Sequence, residues 1–256
     1  MNRIYPLFFM ILFLFSCSEI KFPKEQREPV SHELWDQFLQ EHVDTNGGVS
    51  YKAIVQDPGV LESYLDLLSS SHPNDSWTRN ERLAYWINAY NAFTVKHIVD
   101  HYPLESIKDI KKGIPFVNSV WDMEFIQIQD QPYTLNDIEH QILRKRFNEP
   151  RIHFAINCAS YSCPLLSYEA YTATNVETKL EKAAFEFIND SRRNKVSEDS
   201  MQVSRIFLWF GKDFKVEGKG VKDYINQYAT EKAGEDTKVD YLPYDWSLNE
   251  KAGYSI

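Results

Sequence analysis

Cysteine is scarce in this sequence, with three residues in 256. Cys17 directly follows an N-terminal hydrophobic segment, whereas Cys158 and Cys163 lie close together further along the chain. Any thiol chemistry of the folded domain therefore has to involve Cys158 or Cys163. A thiol is a good nucleophile near neutral pH only with a base nearby or a lowered pKa, so the neighbours of these two residues matter most.

Positive charge is also in deficit, because 28 Lys and Arg residues stand against 37 Asp and Glu residues, a formal net charge of −9. Nucleic-acid binding depends on neutralising phosphates, and electrostatic binding to anionic lipid depends on the same attraction. The charge balance argues against both kinds of partner. Any attachment to a membrane has to come from another source.

The hydrophobic run at the N-terminus is too short to span a bilayer. It extends from Ile4 to Phe15, about 12 residues, whereas a transmembrane helix needs roughly 20. Preceded by Arg3, it makes residues 1–16 a predicted secretory signal peptide. The run ends in Leu14-Phe15-Ser16-Cys17, which resembles a bacterial lipobox and predicts a lipid on Cys17. The alternative is an ordinary cleaved signal peptide with an incidental cysteine.

A lipid on Cys17 would be the membrane anchor of the protein. Residues 17–30 are polar and are predicted to be a tether between lipid and domain. The residue after the cysteine is Ser18 rather than Asp, which favours the outer membrane, facing the periplasm, as the location in the cell envelope.

Internal repeats and low-complexity tracts are absent. Hydrophobic residues make up 43% of the chain and aromatic residues 14%, enough for one sizeable core. We therefore expect residues 31–256 to form a single globular domain.

Helical and extended patterns alternate along this domain, and the clearest signal is a capping box at Thr78-Arg-Asn-Glu81 before a helix that runs to Val99. Further helices are predicted after Ser31, over Val60–Leu68, from Asn136 to about Phe147, over Leu180–Ile188 and from Val221 to Tyr228. Extended segments are predicted at Val49–Tyr51, Trp121–Gln129, Arg151–Cys158, Val196, Met201–Leu208 and Val239–Leu242. The predicted class is α+β, with helices packed on a mixed, mostly antiparallel sheet.

The common catalytic motifs are missing, including a Gly-rich phosphate loop, a Gly-x-Ser-x-Gly elbow and a His-Glu-x-x-His pair. One stretch combines residues that can act as nucleophile, base or metal ligand: His153-Phe-Ala-Ile-Asn-Cys-Ala-Ser-Tyr-Ser-Cys-Pro164. If the predicted strand is regular to residue 158, side chains alternate and His153 points away from Cys158. A bend near Asn157, or use of Cys163, would be needed for His153 to activate a thiol.

Three interpretations of the two cysteines remain open. They could form a disulfide or be buried structural thiols, because an exported chain meets an oxidising compartment. One of them could be a reactive thiol. A metal site is the least favoured, because His140, His153, Cys158 and Cys163 include no tight ligand pair. We expect no metal and no cofactor.

Two other polar pairs are candidate site residues. Glu139 and His140 lie early in a predicted helix, where Glu139 could instead bond the amide of Asn136 in a capping box. His140 is as plausible a base as His153. Asn88 and Asn91 share one face of the long helix, where they either bond neighbouring backbone or position a substrate amide or an oxyanion.

Four segments resemble the family of bacterial and plant proteins called domain of unknown function 547. They are Leu83-Ala-Tyr-Trp-Ile-Asn-Ala-Tyr-Asn91, Thr134-Leu-Asn-Asp-Ile-Glu-His140, the cysteine stretch His153–Pro164 and Leu208-Trp-Phe-Gly-Lys-Asp-Phe214. They cover roughly residues 45–230, in a chain that looks like a bacterial lipoprotein member. The resemblance implies no reaction. It does imply that the seven candidate residues belong to the family's shared pattern: Asn88, Asn91, Glu139, His140, His153, Cys158 and Cys163.

Two functions fit these observations. In the first, a lipid-anchored envelope protein carries a Cys/His-dependent hydrolase or transferase site, with Cys158 or Cys163 as nucleophile, His140 or His153 as base and Glu139 as orienting carboxylate. In the second, the protein is a non-catalytic binding or scaffolding lipoprotein with a structural Cys158–Cys163 disulfide. The partner would be a small molecule, a peptide or a protein, whose identity the sequence leaves open.

Overall fold

The computed structural model describes residues 28–110, 119–215 and 218–251. The predicted signal peptide, the predicted lipidation site Cys17 and most of the predicted tether lie outside these residues. Within the described ranges, no helix has the length and apolar character needed to cross a membrane.

The described residues form helices and two small sheets, which confirms the predicted α+β class. The α-helices are α1 (Glu33–His42), α2 (Tyr51–Gln56), α3 (Gly59–Ser70), α4 (Arg79–Val99), α5 (Arg144–Phe147), α6 (Val176–Ile188), α7 (Ile206–Trp209) and α8 (Val221–Tyr228). The strands are β1 (Ile126–Ile128), β2 (Gln131–Tyr133), β3 (Lys195–Ser197), β4 (Ser200–Val203) and β5 (Val239–Tyr241). Strands β1 and β2 are antiparallel, β3 and β4 are antiparallel, and β4 and β5 are parallel.

Helix α4 is the central helix, as its sequence predicts. Its capping box is present: the Thr78 hydroxyl accepts from the Glu81 amide at 3.2 Å, and the Glu81 carboxylate accepts from the Thr78 amide at 2.6 Å. Every side chain from Leu83 to Val95 is buried. A helix buried on all sides packs against neighbours all round, so α4 can hold several other segments in place.

The hydrophobic core consists of two clusters. The larger includes α1, α3 and α4, with Trp35 stacked on Tyr64 at a ring-centroid distance of 5.5 Å. The smaller is formed by α6, α7, α8 and β4 around Phe154, Phe207 and Phe214. The site described below lies where segments from both clusters meet.

Several local predictions are wrong in extent or type. Tyr51 begins helix α2 instead of ending an extended piece. The predicted strand from Trp121 shortens to β1, because residues Val120–Asp122 form a 3₁₀ turn with a Ser119–Asp122 capping box. The predicted strand running to Leu208 ends at Val203, and α7 follows it. Short apolar runs fit a buried helix as well as a strand, so contacts elsewhere decide between them.

The predicted strand Arg151–Cys158 is a 3₁₀ helix over Pro150–Phe154 followed by irregular backbone. Glu149 caps this helix by accepting from the Arg151 amide at 3.2 Å, and Pro150 suits its first turn. The alternation argument that separated His153 from Cys158 therefore does not apply.

The predicted capping box at Asn136 and Glu139 is wrong by two residues. The reciprocal bonds join Thr134 and Asp137: the Thr134 amide donates to Asp137 at 2.9 Å, and the Asp137 amide donates to Thr134 at 3.0 Å. The helix that follows is a π-helix, Asp137–Leu143, which continues into α5. Glu139 is therefore free of a capping role.

Candidate functional site

A cavity of about 220 Å³ contains five of the seven predicted site residues. Its lining is mostly aromatic and apolar, with a polar group on one side: Tyr90, Trp121, Asn136, Glu139, His140, His153, Ile156, Cys158, Cys163, Pro164, Ile206, Trp209, Phe210, Tyr244 and Trp246. The residues come from α4, the π-helix, the 3₁₀ helix before the cysteines, α7 and the C-terminal segment. A concave apolar site with a few convergent polar groups is typical of ligand binding.

The loop that carries the two cysteines is held by buried amides. Asn91 on α4 donates to the Ala155 carbonyl at 2.9 Å and accepts from the Asn157 amide at 2.8 Å. Asn157 in turn donates to the Pro164 carbonyl at 2.7 Å and accepts from the Ala159 amide at 2.8 Å. These bonds fix the loop in one conformation, in which Ala159 has a left-handed φ of 57°.

The C-terminal segment pairs with the same loop and brings a tyrosine to the thiols. The Tyr161 amide donates to the Ser247 carbonyl at 2.8 Å, and Ser160 forms an antiparallel bridge with Leu248. Tyr244, just before this pairing, places its hydroxyl 3.4 Å from the Cys158 sulfur. A residue 86 positions away thus becomes a direct neighbour of Cys158.

Both cysteines are free thiols, and Cys158 is the more exposed. The Cys158 amide donates to the Cys163 sulfur at 2.9 Å, and the Ser160 hydroxyl lies 3.2 Å from the Cys158 sulfur. Burial by itself raises the pKa of Cys158, but hydrogen bonds from Cys163, Ser160 and Tyr244 outweigh it and lower that pKa to about 7. Burial and the neighbouring Cys158 charge raise the pKa of Cys163. Cys158 is therefore the thiolate of the pair.

Glu139 projects from the π-helix into the cavity and is 7% exposed. The Tyr90 hydroxyl donates to its carboxylate at 3.5 Å. Burial, reinforced by the charge of Cys158, raises the pKa of Glu139 to about 8. A protonated carboxylic acid near a thiolate is suited to donate a proton during a reaction.

His153 is held between Glu139 and Asp213. Its Nε2 lies 2.8 Å from an Asp213 oxygen, its Nδ1 lies 3.9 Å from a Glu139 oxygen, and its ring stacks on Phe210 at 4.1 Å. Burial lowers the pKa of His153, so the ring is neutral and Nε2 carries the hydrogen that Asp213 accepts. The lone pair of Nδ1 therefore faces Glu139.

His140 is a poor candidate for the base, although it lines the cavity. The Arg144 guanidinium, which can only donate, lies 3.1 Å from His140 Nδ1 and occupies the lone pair of the neutral ring. Burial and the Arg144 charge lower the pKa of His140. Arg144 itself is paired with Asp213 through two bonds of 2.5 and 2.9 Å.

Neither imidazole bonds the nucleophile directly. Among the residues that the structure describes, the hydrogen-bond partners of the Cys158 sulfur are Ser160 and Tyr244, with Cys163 beside it. Among these residues, therefore, neither candidate base makes a direct hydrogen bond to Cys158. Glu139 and Cys158 line the same cavity, and Glu139 lies against His153.

Of the two alternatives for Asn88 and Asn91, bonding to backbone or positioning a substrate, the hydrogen bonds of the structure support the first. Asn88 donates to the Tyr171 carbonyl at 2.7 Å and accepts from the Tyr171 amide at 3.1 Å, and Asn91 holds the cysteine loop. Both side chains are buried, and neither is part of the cavity lining. Each amide both donates to and accepts from backbone, which holds the side chain in place.

Sequence reasoning missed Asp213 and Tyr244, because both approach the site from distant segments. A signal for Asp213 was present in the segment Leu208–Phe214, where a carboxylate stands in a short polar turn between aromatic residues. Nothing in the local pattern around Tyr244 indicated a contact with the cysteines. In the described ranges, no cluster of three or more His, Cys, Asp and Glu side chains is arranged to hold a metal ion.

The rim of the cavity is a wall of partly exposed tryptophans. Trp121 and Trp246 lie 5.6 Å apart between ring centroids, and Trp246 and Trp209 lie 5.7 Å apart. Trp209 is 44% exposed, whereas the other three tryptophans of the chain are buried in the core. Exposed aromatic surface next to a cavity favours binding of an apolar or planar group.

Residues 74–188 match a family model described as a protein of unknown function, DUF547. The similarity to this family extends over a little under half of the chain. The match confirms the family resemblance at this level and includes all seven candidate residues. It ends before Asp213 and Tyr244, so these two belong to the part of the site outside the matched segment. No curated protein and no solved structure matches the chain.

Proposed function

We propose that this DUF547 domain is a hydrolase or transferase in which the Cys158 thiolate attacks an acyl carbonyl. The observation that carries the proposal is the grouping of Cys158, Glu139 and the His153–Asp213 pair on one cavity. In this cavity the pKa of the nucleophile, Cys158, is lowered, and the pKa of the acid, Glu139, is raised. These opposite shifts suit acyl transfer through a thioester, which uses an ionised nucleophile together with a protonated acid.

In the first half of the reaction, the Cys158 thiolate adds to the carbonyl carbon of an ester, thioester or amide. Glu139, protonated beforehand, donates its proton to the leaving group as the tetrahedral intermediate collapses to a thioester on Cys158. The Tyr244 hydroxyl stabilises the thiolate before attack, because it lies 3.4 Å from the sulfur.

In the second half, water or an acceptor group attacks the thioester. The Glu139 carboxylate formed in the first half accepts the proton of the attacking group, and Cys158 leaves as the thiolate. His153 lies against Glu139, with Nδ1 3.9 Å from its carboxylate, and positions that carboxylate, while Asp213 accepts from Nε2 and holds the ring in the required tautomer. The tryptophan wall would contact an apolar or ring-bearing part of the substrate.

We also propose that the protein is anchored in the cell envelope by a lipid on Cys17, in the outer membrane and facing the periplasm. This part of the proposal is supported by the sequence of residues 1–18 alone. It is tested by metabolic labelling with a radioactive fatty acid: label should appear in the wild-type protein and be lost in Cys17→Ser.

The catalytic proposal is tested with a small activated ester whose acyl group can be detected by intact mass. Wild-type protein should form one acyl adduct that dithiothreitol or hydroxylamine removes, as expected of a thioester. Cys163→Ala keeps the proposed nucleophile and should still be acylated, whereas Cys158→Ala should not.

Equal acylation of wild-type protein and folded Cys158→Ala would contradict the proposal. A native protein with no reactive thiol would favour the alternative, a non-catalytic binding or scaffolding lipoprotein with a structural Cys158–Cys163 disulfide.

A further inference from the structure

The two thiols of the cavity form a pair whose members occupy different environments. Both line the cavity, but Cys158 has three groups close to its sulfur, Ser160, Tyr244 and Cys163, while Cys163 is the more buried of the two and is 4% exposed. The Cys158 amide is 2.9 Å from the Cys163 sulfur. Since an amide nitrogen and its own Sγ are at most about 4 Å apart, the two sulfurs are separated by less than about 7 Å.

The backbone holds these sulfurs together without a covalent bond. The Cys163 amide donates to the Ser160 carbonyl at 3.0 Å, which closes a turn between the two cysteines. Arg193 donates to the Cys163 carbonyl at 2.8 Å and to the Tyr161 carbonyl at 2.8 Å. These bonds keep the two cysteines close together, which is the arrangement from which a bond between the sulfurs would form.

We propose that Cys158 and Cys163 are a reversible dithiol–disulfide pair, with Cys158 attacking a small disulfide of the glutathione type and Cys163 resolving the product. The inference rests on the proposed nucleophile Cys158, and it adds an activity, thiol–disulfide exchange, that acyl transfer does not need. The predicted export of the chain would expose this pair to an oxidising compartment.

The exchange occurs in two balanced steps. The Cys158 thiolate attacks one sulfur of the small disulfide, forming a mixed disulfide and expelling one small thiolate. Cys163 then loses its proton to the expelled thiolate and attacks the Cys158 sulfur, which breaks the mixed disulfide and releases a second small thiolate. The two protein thiols are oxidised by two electrons, and the small disulfide is reduced to one thiol and one thiolate.

The arrangement explains why attack occurs in this order. While Cys158 is a thiolate, its charge opposes ionisation of Cys163. Once Cys158 is part of a mixed disulfide, that charge is gone, and the Cys158 amide at 2.9 Å remains to stabilise a Cys163 thiolate. Cys163 is thus activated only after Cys158 has reacted.

Formation of the disulfide would also switch off the proposed acyl transfer, because the nucleophile is consumed. The cavity would then report the redox state of its surroundings. Reduced thiols of the same small-molecule class would restore the nucleophile by the reverse sequence.

The test uses the full chain in buffers that contain reduced and oxidised glutathione at set ratios, followed by acid quenching and alkylation. The tryptic peptide of residues 152–179 carries both cysteines and excludes Cys17, so its mass reports this pair alone. Wild-type protein should give a peptide two hydrogens lighter at oxidising ratios, after a transient glutathione adduct, and should return to two alkylated thiols at reducing ratios.

Two matched variants distinguish the attacking role of Cys158 from the resolving role of Cys163. Cys163→Ser should accumulate one glutathione adduct because nothing resolves it, and Cys158→Ser should acquire neither adduct nor disulfide. The wild-type time course tests the proposal even if a variant fails to fold.

Two alkylated thiols in the wild-type peptide at every ratio, or a disulfide that reduced glutathione does not open, would overturn the inference. If that same protein still forms the acyl adduct on Cys158, the proposed function stands while the redox inference fails. A reversible disulfide in a protein that forms no acyl adduct would support the redox inference and overturn the proposed acyl transfer.

Discussion

The burial of the Glu139 carboxyl group lowers the stability of the fold when that group is ionised. A carboxyl group that is buried in an apolar cavity and close to a thiolate loses the water that stabilises its charge, so its pKa rises to about 8. Residues whose pKa values are shifted by burial and a specific charge often serve in catalysis. The same shift links the stability of the fold to pH.

Glu139→Gln should change how stability depends on pH. Because the folded protein holds this proton more tightly than the unfolded chain, the free energy of unfolding falls as pH rises from about 4.5 towards 8, and the loss is complete above pH 8. Urea denaturation of Glu139→Gln should therefore show greater stability than wild type at pH 9, by up to roughly 5 kcal/mol at about 1.4 kcal/mol per pKa unit.

Glu198→Gln is the control, since Glu198 is exposed in the turn between β3 and β4. It should leave the pH dependence of stability unchanged. If the wild type and Glu139→Gln follow the same stability curve between pH 5 and 9, the proposed protonation of Glu139 is wrong.

At the scale of elements, two uncommon helices bring the polar residues together. The π-helix Asp137–Leu143 supplies Glu139, and the 3₁₀ helix Pro150–Phe154 supplies His153. Short π-helical segments occur frequently at functional sites, because the wider turn changes where side chains project. The π-helix packs against α4, the 3₁₀ helix packs against α6, and Asn91 on α4 holds the residue that follows the 3₁₀ helix, Ala155.

Asn91→Ala should loosen the cysteine loop, because it leaves the Ala155 carbonyl and the Asn157 amide without their partner. We expect a loss of about 2–4 kcal/mol in the free energy of unfolding, since two buried backbone groups become unpaired. The alkylation rate of Cys158 in the folded protein should also change, measured with a limiting amount of a small alkylating agent.

Asn88→Ala is a closely matched control for this prediction. Asn88 is a buried amide on the same helix and also makes two backbone bonds, but it holds Tyr171 and not the loop. It should cost a similar amount of stability and leave the alkylation rate of Cys158 unchanged. Identical alkylation rates in the two variants would show that the Asn91 bonds do not control the loop.

At the scale of the whole molecule, the site is assembled from residues far apart in the chain. Tyr90 comes from α4, Asp213 from the turn after α7, and Tyr244 from the C-terminal segment. The C-terminal segment therefore completes the site, because it carries the hydroxyl that stabilises the Cys158 thiolate.

Tyr244→Phe should raise the pKa of Cys158 above 7, because it removes a hydrogen bond to the thiolate and leaves the packing nearly unchanged. The measurement is the rate of alkylation of Cys158 as a function of pH, whose midpoint should move upwards by up to about one unit. Tyr241→Phe, on β5, is the control and should leave the midpoint in place. A midpoint that stays in place in Tyr244→Phe as well would exclude a role for this hydroxyl.

The predictable parts of the structure are those whose signals are local. The capping box at Thr78 and Glu81 and the long apolar pattern that follows predicted α4, and the turn at residues 198–199 predicted the β3–β4 hairpin. The 3₁₀ helix at Pro150 was not predictable in the same way. Its apolar run fits a strand equally well, and the Asn91 and Glu149 bonds that select the helix come partly from elsewhere in the chain.

The sequence by itself determined the α+β class, the central helix and the concentration of thiol chemistry at Cys158 and Cys163, because composition and short-range patterns carry that information. Only the tertiary structure decided that Glu139 and His153 lie together on the cavity of Cys158, that Arg144 occupies the Nδ1 lone pair of His140, and that Asp213 and Tyr244 complete the site. These are contacts between segments distant in the chain, and they depend on how the helices pack around α4, which no local pattern specifies.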